Sequence, residues 1–281
     1  MSKSRIKTVL LKYHDDISSS LSKTVTISID NPGVNNIHNI RVNIKKLRAL
    51  YKLLERLSGK MFSEKQHAIL FKKIFRETGK LRDIQIKTKI LDNYKSAESV
   101  KKLIGYIDAS KEQALKSIRN SLADFNFQKY SESENLVKEL ITELPSAEIE
   151  NECVKFIIRS AKKIKRHLES EKSTEQIHEI RKLLKELHAA SDILFLIKES
   201  KALKNFLKLV KNTEENLGKW HDNIILLVSL SEFFNNLKKY NESPGKELIN
   251  LENELKHQNG VMLGYLIPEI DNLLKCIKQE N

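Results

Sequence analysis

The chain carries two copies of one short sequence pattern, and this duplication limits the folds that it can adopt. Residues 37–54 read IHNIRVNIKKLRALYKLL, and residues 177–194 read IHEIRKLLKELHAASDIL. A second pair of segments follows in the same order, TGKLRDIQI at 78–86 and LGKWHDNII at 217–225. Because the two pairs have nearly equal offsets of 140 and 139 positions, chance is a poor explanation. The pattern predicts two structurally related halves.

The boundary between the halves is predicted where a helix-breaking residue interrupts the helical pattern. Pro145 lies within ELPSAEIENE at 143–152, and proline ends or kinks a helix because it lacks a backbone N–H. We therefore expect a single domain over residues 1–281. It is made of a first repeat at 1–144 and a second repeat at 147–281.

Helix-favouring residues dominate the composition. The chain contains only 8 Gly and 4 Pro, which are the two residues least favourable inside a helix. We expect an all-α fold with helices near 4–22, 35–57, 64–94, 97–121, 133–143, 150–170, 174–198, 200–238 and 246–279. The β-branched segment VTISI at 25–29 is predicted as a short extended piece.

The chain is strongly basic. Its 50 Lys and Arg exceed its 37 Asp and Glu, which gives a formal net charge of +13 at pH 7. An excess of this size favours an anionic partner such as nucleic acid, polyphosphate or a membrane surface. A basic surface without a specific ligand is the alternative interpretation.

The sequence gives no sign of export or of membrane insertion. The first residues, MSKSRIKTVLLKYHDD, lack the apolar core of a signal peptide. Apolar runs such as LFLI at 194–197 are much shorter than a membrane span. Cys153 and Cys276 are far apart and fit neither a disulfide framework nor a zinc spacing. We expect a soluble, cytoplasmic protein without a membrane partner.

On a helix, with about 100° per residue, residues 37–56 separate into an apolar face and a basic face. The apolar face is predicted to pack into the core and consists of Ile37, Ile40, Ile44, Leu47, Tyr51 and Leu54. The basic face, called the cation ladder below, consists of His38, Arg41, Lys45, Arg48, Lys52 and Arg56. Like charges one turn apart destabilise a helix, so such a row suggests that an external anion supplies the counter-charge. One cation about every 5 Å along the axis suits a linear polyanion, with a solvated basic face as the alternative.

The second copy keeps a shorter ladder. The residues on the same face are His178, Arg181, Lys185 and His188. Asp192 stands where Lys52 stands in the first copy. A histidine one turn before an arginine can donate a hydrogen bond to a phosphate oxygen.

Metal or cofactor binding is not expected. Neither His38 nor His178 has a second His or a carboxylate three or four positions later on its helix, which is a spacing that would suit a metal site. Asp83 and Asp222 each follow a repeated Gly-Lys pair, and we predict that they cap a helix or orient a nearby Arg or Lys.

These segments resemble the signature of the CHAD domain, the conserved histidine α-helical domain. IHNIRVNIKKLRAL and GKLRDI match its two signature segments closely, and IHEIRKLLKELH and GKWHDN match them in weaker form. The resemblance implies two tandem antiparallel four-helix bundles related by a pseudo-twofold axis, with a basic groove or pore between them. It also implies that inorganic polyphosphate binds there and can bring the protein to polyphosphate granules.

Carried onto this chain, the resemblance identifies polyphosphate-binding candidates in both halves. The main group is His38, Arg41, Lys45, Arg48, Arg82, His178, Arg181, Lys185 and His188. A second group is Arg159, Lys163, Lys72 and Lys211. The second half departs from the family pattern, because His188 replaces a Lys or Arg and His221 stands in the place of Arg82. If one half dominates binding, we expect it to be the first.

Two other functions stay open at this point. A nucleic-acid binder could contact the backbone in the same way, although single-strand binders stack bases on aromatic side chains and the cation ladder has none. A phosphohydrolase or kinase would need a P-loop, paired carboxylates or a metal cluster, which the sequence does not offer. The family often carries a fused triphosphate-tunnel domain, for which this chain leaves no room. We expect a protein that is not an enzyme.

Overall fold

The fold is built from α-helices throughout the residues that the structure describes. The computed structural model describes residues 3–59, 61–170 and 173–279, and no β-strand occurs within them. The helices are α1 (Lys3–Asp30), α2 (Val34–Leu57), α3 (Glu64–Ala68), α4 (Lys72–Leu91), α5 (Glu98–Asp108), α6 (Lys111–Ala123), α7 (Phe127–Glu143), α8 (Ser146–Glu169), α9 (Thr174–Ile197), α10 (Lys201–Lys239) and α11 (Lys246–Gln279). The all-α prediction is confirmed. In this part of the chain, no helix has both the length and the apolar character needed to cross a membrane.

The predicted helix positions agree better with the structure in the second half than in the first. Helices α8 to α11 begin and end within four residues of the predicted bounds. In the first half, the predicted helices 64–94 and 97–121 are each divided into shorter helices. Pro145 lies in the break between α7 and α8, as predicted. The outer ends of the two predicted repeats, at residues 1–2 and 280–281, lie outside the described residues.

The segment VTISI at 25–29 is helical and belongs to the last turns of α1. Val25 is fully buried in the core, so tertiary packing outweighs the preference of β-branched residues for strands. The hydroxyls of Thr24, Thr26 and Ser28 each donate to the carbonyl oxygen four residues earlier, which is the bonding pattern of a helix. The prediction of an extended piece is therefore wrong.

Serine caps fix the starts of two helices in the second half. Ser173 Oγ accepts a hydrogen bond from the backbone N–H of Gln176 at 3.3 Å, at the start of α9. Ser200 Oγ accepts one from the N–H of Leu203 at 3.1 Å, at the start of α10. Each cap satisfies a backbone donor that has no partner inside its own helix.

The apolar face predicted on α2 packs into the core. Its residues show no solvent exposure, and they are Ile37, Ile40, Ile44, Leu47, Tyr51 and Leu54. The corresponding residues Ile177, Ile180, Leu184 and Leu187 of α9 are also buried. Buried side chains from both halves belong to one continuous apolar cluster. With one face of each repeated helix held by this core, the orientation of the opposite, charged face is fixed.

The four helices that carry the repeated motifs contact one another in a ring. Helix α2 packs against α4 and α9, and α10 packs against the same two helices. Helices α2 and α9 carry the His-x-x-Arg pattern, and α4 and α10 carry the Gly-Lys-x-x-Asp pattern. These four helices, called the motif ring below, therefore bring both motifs of both repeats to one place.

Candidate functional site

The motif ring gathers charged side chains from both repeats. Arg41 and Lys45 of α2 interact electrostatically with Arg181 of α9, and Lys45 also interacts with Lys185. The group of mutually interacting charges, called the central cluster below, consists of Arg41, Lys45, Arg82, Asp83, Arg181, Lys185, Glu214 and Asp222. Five of these side chains are basic and three are acidic, so the cluster has an excess of positive charge when all of them are ionised.

Arg41 is held in place by the first Gly-Lys-x-x-Asp helix. Its Nη1 donates a hydrogen bond to the backbone oxygen of Phe75 at 2.7 Å. Its Cζ lies 4.3 Å from the centroid of the Phe75 ring, in a cation–π contact. A Cβ added at Gly79 would stand 3.0 Å from the same Nη1. Because glycine has no Cβ, Gly79 lets the guanidinium of Arg41 lie across α4. The arginine of the His-x-x-Arg motif thus depends on the glycine of the Gly-Lys-x-x-Asp motif, which is a physical reason for the two motifs to occur together.

Arg181, the equivalent residue of the second repeat, has a different environment. Its Nε is buried and has no hydrogen-bond partner among the described residues. Buried donors of this kind are normally paired, so a ligand that reached Nε of Arg181 would supply the partner that it lacks. Near Gly218, the counterpart of Gly79, an added Cβ would meet no described atom within 4 Å. The two copies are therefore not equivalent, and the sequence alone does not reveal this.

Two equivalent lysines, Lys45 and Lys185, interact across the repeats. Burial, and then the neighbouring Lys45, lowers the pKa of Lys185 to about 6. Burial, and then Arg41, lowers the pKa of Lys45 to about 8. Many protein atoms lie around Lys45, which is what lowers its pKa. Its side chain is nevertheless exposed, so water still reaches it. Burial is the main cause of both shifts, and Glu214 acts against them while the neighbouring cations add to them.

Three imidazoles border the central cluster. Burial, and then Arg181, lowers the pKa of His221 to about 3, and its ring centroid lies 5.0 Å from that of His178. Burial also lowers the pKa of His38, with Arg82 as the next cause. The pKa of His178 is lowered by burial and then by a nearby lysine. These rings are therefore mainly neutral near pH 7, where each can still donate one hydrogen bond.

Asp83 and Asp222 lie inside α4 and α10, so neither caps a helix as one of the two predicted roles required, and both interact electrostatically with arginines of the cluster. Burial raises the pKa of both carboxyls, and the strongest opposing effect comes from Arg41 on Asp83 and from Arg181 on Asp222. Each aspartate thus partly neutralises the arginine of its own repeat. Glu214 was not predicted as part of the site, because the duplication gives it no acidic counterpart: the residue 139 positions earlier is Phe75.

His221 is also missing from the predicted candidates, although the sequence contained a signal for it. It occupies the position that Arg82 occupies in the first repeat, and Arg82 belongs to the central cluster. A functional position that changes from Arg to His keeps a hydrogen-bond donor and loses its permanent charge.

The later part of the cation ladder is neutralised by acids from other helices. Arg48 Nε donates to Glu64 Oε1 at 2.7 Å, and Lys52 forms an ion pair with Glu186 of α9. Arg56 lies 3.9 Å from a carboxylate of α8. The prediction that the ladder lacks counter-charge therefore applies to its first part only, before Arg48.

The other candidates also lie outside the central cluster. His188 Nδ1 is 2.6 Å from the carboxylate of Glu214, through which it adjoins the cluster. Arg159 donates to a carboxylate of its own helix at 2.6 Å, and Lys211 lies 3.9 Å from a carboxylate one turn later. The remaining two are exposed and are Lys72 and Lys163.

A Glu-x-Glu-x-Lys sequence, the pattern of triphosphate-tunnel domains, occurs at 252–256 on α11. Side chains two positions apart on a helix point about 200° apart, so Glu252 and Glu254 do not converge. Lys256 pairs with Glu252 at 2.7 Å, and Glu254 accepts a hydrogen bond from the Tyr94 hydroxyl at 3.1 Å. Within residues 3–59, 61–170 and 173–279, no three His, Cys, Asp or Glu side chains are grouped to hold a metal ion.

The fold is all-α within the described residues, and the motif ring gathers charged side chains that belong to both copies of the sequence pattern. The family model described as the CHAD domain matches residues 28–230, which is well over half of the chain. The chain therefore belongs to the CHAD domain family, which is associated in general with polyphosphate binding.

A solved structure supports the fold. The crystal structure of the CHAD domain from the plant Ricinus communis matches with a TM-score of 0.74. The match covers 96% of this chain and 91% of that chain at 15% sequence identity. At this identity, the likeness concerns the fold alone. None of the curated proteins searched matches the sequence.

Proposed function

We propose that this protein binds inorganic polyphosphate without catalysing a reaction, through the basic residues of the central cluster. In this proposal the cluster lines a groove between two four-helix bundles within a single domain. The main support for this proposal is that basic residues of both repeats interact with one another and have too few acids nearby to neutralise them. These residues are Arg41, Lys45, Arg181 and Lys185.

The environment of the lysines supports an anionic ligand. A lysine that becomes partly neutral near pH 7 loses much of its attraction for anions, unless the anion itself restores the charge. A bound phosphate would supply the counter-charge that Lys45 and Lys185 lack. Nε of Arg181, buried and without a partner among the described residues, would gain an acceptor, and arginine–phosphate hydrogen bonds are among the strong ones.

The arrangement of the basic residues supports a linear ligand. His38, Arg41 and Lys45 follow one another about one turn apart along α2, which spaces them by about 5 Å. Their counterparts on α9 repeat this spacing, and α9 packs against α2. Two rows of donors side by side can contact several successive phosphates of one chain.

A nucleic-acid ligand is the second candidate, because its backbone carries the same groups. Single-strand binders gain about 1–3 kcal/mol per base from stacking on aromatic side chains. The ring of Phe75 adjoins Arg41, and the guanidinium already covers it. The basic faces of α2 and α9 carry Lys, Arg and His side chains and no Phe, Tyr or Trp on which a base could stack, which favours polyphosphate.

A competition measurement tests this choice. Labelled polyphosphate should bind the intact protein in a fluorescence anisotropy titration, with an affinity that falls steeply as salt rises. Unlabelled polyphosphate should displace it at a phosphate concentration at least about tenfold below that needed with RNA or DNA, since the bases gain no stacking contact. The recovered polyphosphate should keep its length in Mg²⁺ or Mn²⁺. Equal competition at equal phosphate would assign the site to polyanions in general, and a shortened chain would contradict a non-enzymatic role.

Replacing Gly79 by alanine should weaken polyphosphate binding about fivefold, the equivalent of one neutral hydrogen bond. The added Cβ would stand 3.0 Å from Arg41 Nη1, so the guanidinium has to shift slightly, which weakens its hydrogen bond to the Phe75 oxygen. Helix stability should not fall, because alanine favours a helix by about 1 kcal/mol over glycine.

Gly218→Ala is the matched control in the second repeat. An added Cβ there meets no described atom within 4 Å, so the affinity should stay within about twofold of the wild-type value. Alanine should stabilise the helix by the same amount as at position 79. The two affinities and the two thermal unfolding curves are compared with those of the wild type. Equal affinities for both variants would show that Gly79 does not position Arg41 for binding.

A further inference from the structure

We propose that the second half of the chain contains a binding site for small uncharged aromatic alcohols of the phenol type, in a cavity lined by helices α8, α9, α10 and α11. None of the residues that line this cavity belongs to the central cluster, so the site is separate from the proposed polyphosphate site. The size of the cavity, its apolar lining and one ion pair at its rim support the proposal.

The cavity has the size and the lining that a single aromatic ring needs. Its volume is about 170 Å³, and an apolar cavity of about 150 Å³ is large enough to hold benzene. Helix α8 contributes Val154, Ile157 and Ile158, and α10 contributes Leu203 and Phe206. Helices α9 and α11 add one leucine and one isoleucine. The aliphatic groups would cover the faces of a bound ring, and Phe206 offers a second ring for aromatic contact.

The charged groups at the rim favour a hydroxyl over a charged head group. Lys198 Nζ lies 3.3 Å from Glu150 Oε1, and both residues line the cavity. The two charges cancel, so the rim offers a donor and an acceptor without a net charge. A hydroxyl can accept from the ammonium and donate to the carboxylate. A carboxylate or an amine would instead be repelled by one member of the pair.

The same ion pair also lines a second and more polar cavity of about 520 Å³. Arg5 and Glu199 belong to the lining of this second cavity, and their charges cancel in the same way. A phenol with its ring in the apolar cavity would therefore place its hydroxyl at the ion pair, where the polar cavity begins. This arrangement keeps the apolar part of the ligand away from water and its polar part hydrogen-bonded.

Methyl NMR of the intact protein, with labelled isoleucine and valine methyl groups, tests the site. Phenol at up to about 20 mM should shift the signals of Val154, Ile157 and Ile158 along one saturating curve, with a Kd on the order of 1 mM as expected for so small a ligand. Ile118 is buried in α6 of the first half, and its signals should not move. Signals of Ile157 and Ile158 that stay unchanged would overturn the site without the use of any variant.

Toluene and sodium benzoate test the chemical class of the ligand. Benzoate should bind about tenfold more weakly than phenol, because its carboxylate would lie beside that of Glu150. Toluene should bind no more tightly than phenol, although its greater apolar surface makes it leave water more readily. Benzoate that binds as tightly as phenol would overturn the preference for uncharged ligands. Toluene that binds more tightly would overturn the role of the ion pair.

Val154→Phe should fill the cavity with a ring of the protein itself and weaken phenol binding at least about tenfold. Val228→Phe is the matched control, because Val228 is exposed on α10 and is not among the residues that line the cavity. Its affinity for phenol should equal that of the wild type, and thermal unfolding should show that both variants are folded. A folded Val154→Phe protein that binds phenol with wild-type affinity would overturn the assignment of the ligand to this cavity.

Discussion

Replacement of both Arg41 and Arg181 by glutamine should weaken polyphosphate binding by about a hundredfold or more. Each arginine is expected to make at least one charged hydrogen bond to phosphate, worth about 1.5–3 kcal/mol, and about 1.4 kcal/mol corresponds to a tenfold change. Glutamine is preferred to glutamate because Asp83 and Asp222 lie close by, where further carboxylates would repel them. Anisotropy titrations with labelled polyphosphate measure the loss.

The matched control removes two charges from α8, outside the central cluster. Arg159 already donates to a carboxylate, and Lys163 is exposed, so Arg159→Gln with Lys163→Gln should change the affinity by about threefold at most, as expected for surface charges. Circular dichroism and thermal unfolding should show that both double variants stay folded. A larger loss in the α8 variant than in the cluster variant would move the binding site to α8.

The single variants test which repeat dominates. The sequence favours the first repeat, because its ladder is longer. In the structure, however, Arg41 already has Phe75 as its partner, whereas Nε of Arg181 has none among the described residues. We therefore expect Arg181→Gln to weaken binding more than Arg41→Gln.

The sequence predicts the helices and the orientation of the repeated motifs well, since both depend on local patterns. The period of the apolar residues indicates which face of α2 is buried, and Ile37 to Leu54 of that face are indeed inaccessible. The nearly equal spacing of the two motif pairs predicts that equivalent residues of the two repeats come together, and Lys185 does interact with Lys45.

What the sequence does not predict are the long-range partners. Whether a basic residue is free or neutralised depends on acids that are distant in the chain, such as Glu64 for Arg48 and Glu186 for Lys52. Periodicity within one helix contains no information about these pairs. The same reason explains why Glu214 of α10 was not expected beside the lysines of α2 and α9.

Polyphosphate affinity should fall about tenfold for each pH unit above pH 7. This is the steepest fall that the uptake of one proton on binding can cause. The pKa of Lys185 is about 6 in the free protein, chiefly through burial, so this amine is mostly neutral at pH 7.5. A bound polyanion favours the ammonium form and raises the pKa, so binding takes up a proton above pH 6. Lys45, with a pKa lowered to about 8, should add to the slope at higher pH.

Lys185→Arg is the matched variant for this effect. Arginine stays charged at every pH of interest, so the slope between pH 6 and pH 8 should largely disappear while binding is kept. Lys182→Arg on the exposed side of the same helix should leave the slope unchanged. A Lys185→Arg variant with the wild-type slope would assign the proton uptake to other groups.

Calorimetry of polyphosphate binding tests most directly whether the ligand supplies the counter-charge that the central cluster lacks. Titrations at pH 7.5 in two buffers of different ionisation enthalpy give the number of protons taken up. The wild type should take up about 1.2 protons per site, nearly one on Lys185 and about a quarter on Lys45, and Lys185→Arg should take up only the quarter from Lys45. Binding without proton uptake in the wild type would contradict the assignment of polyphosphate to this cluster.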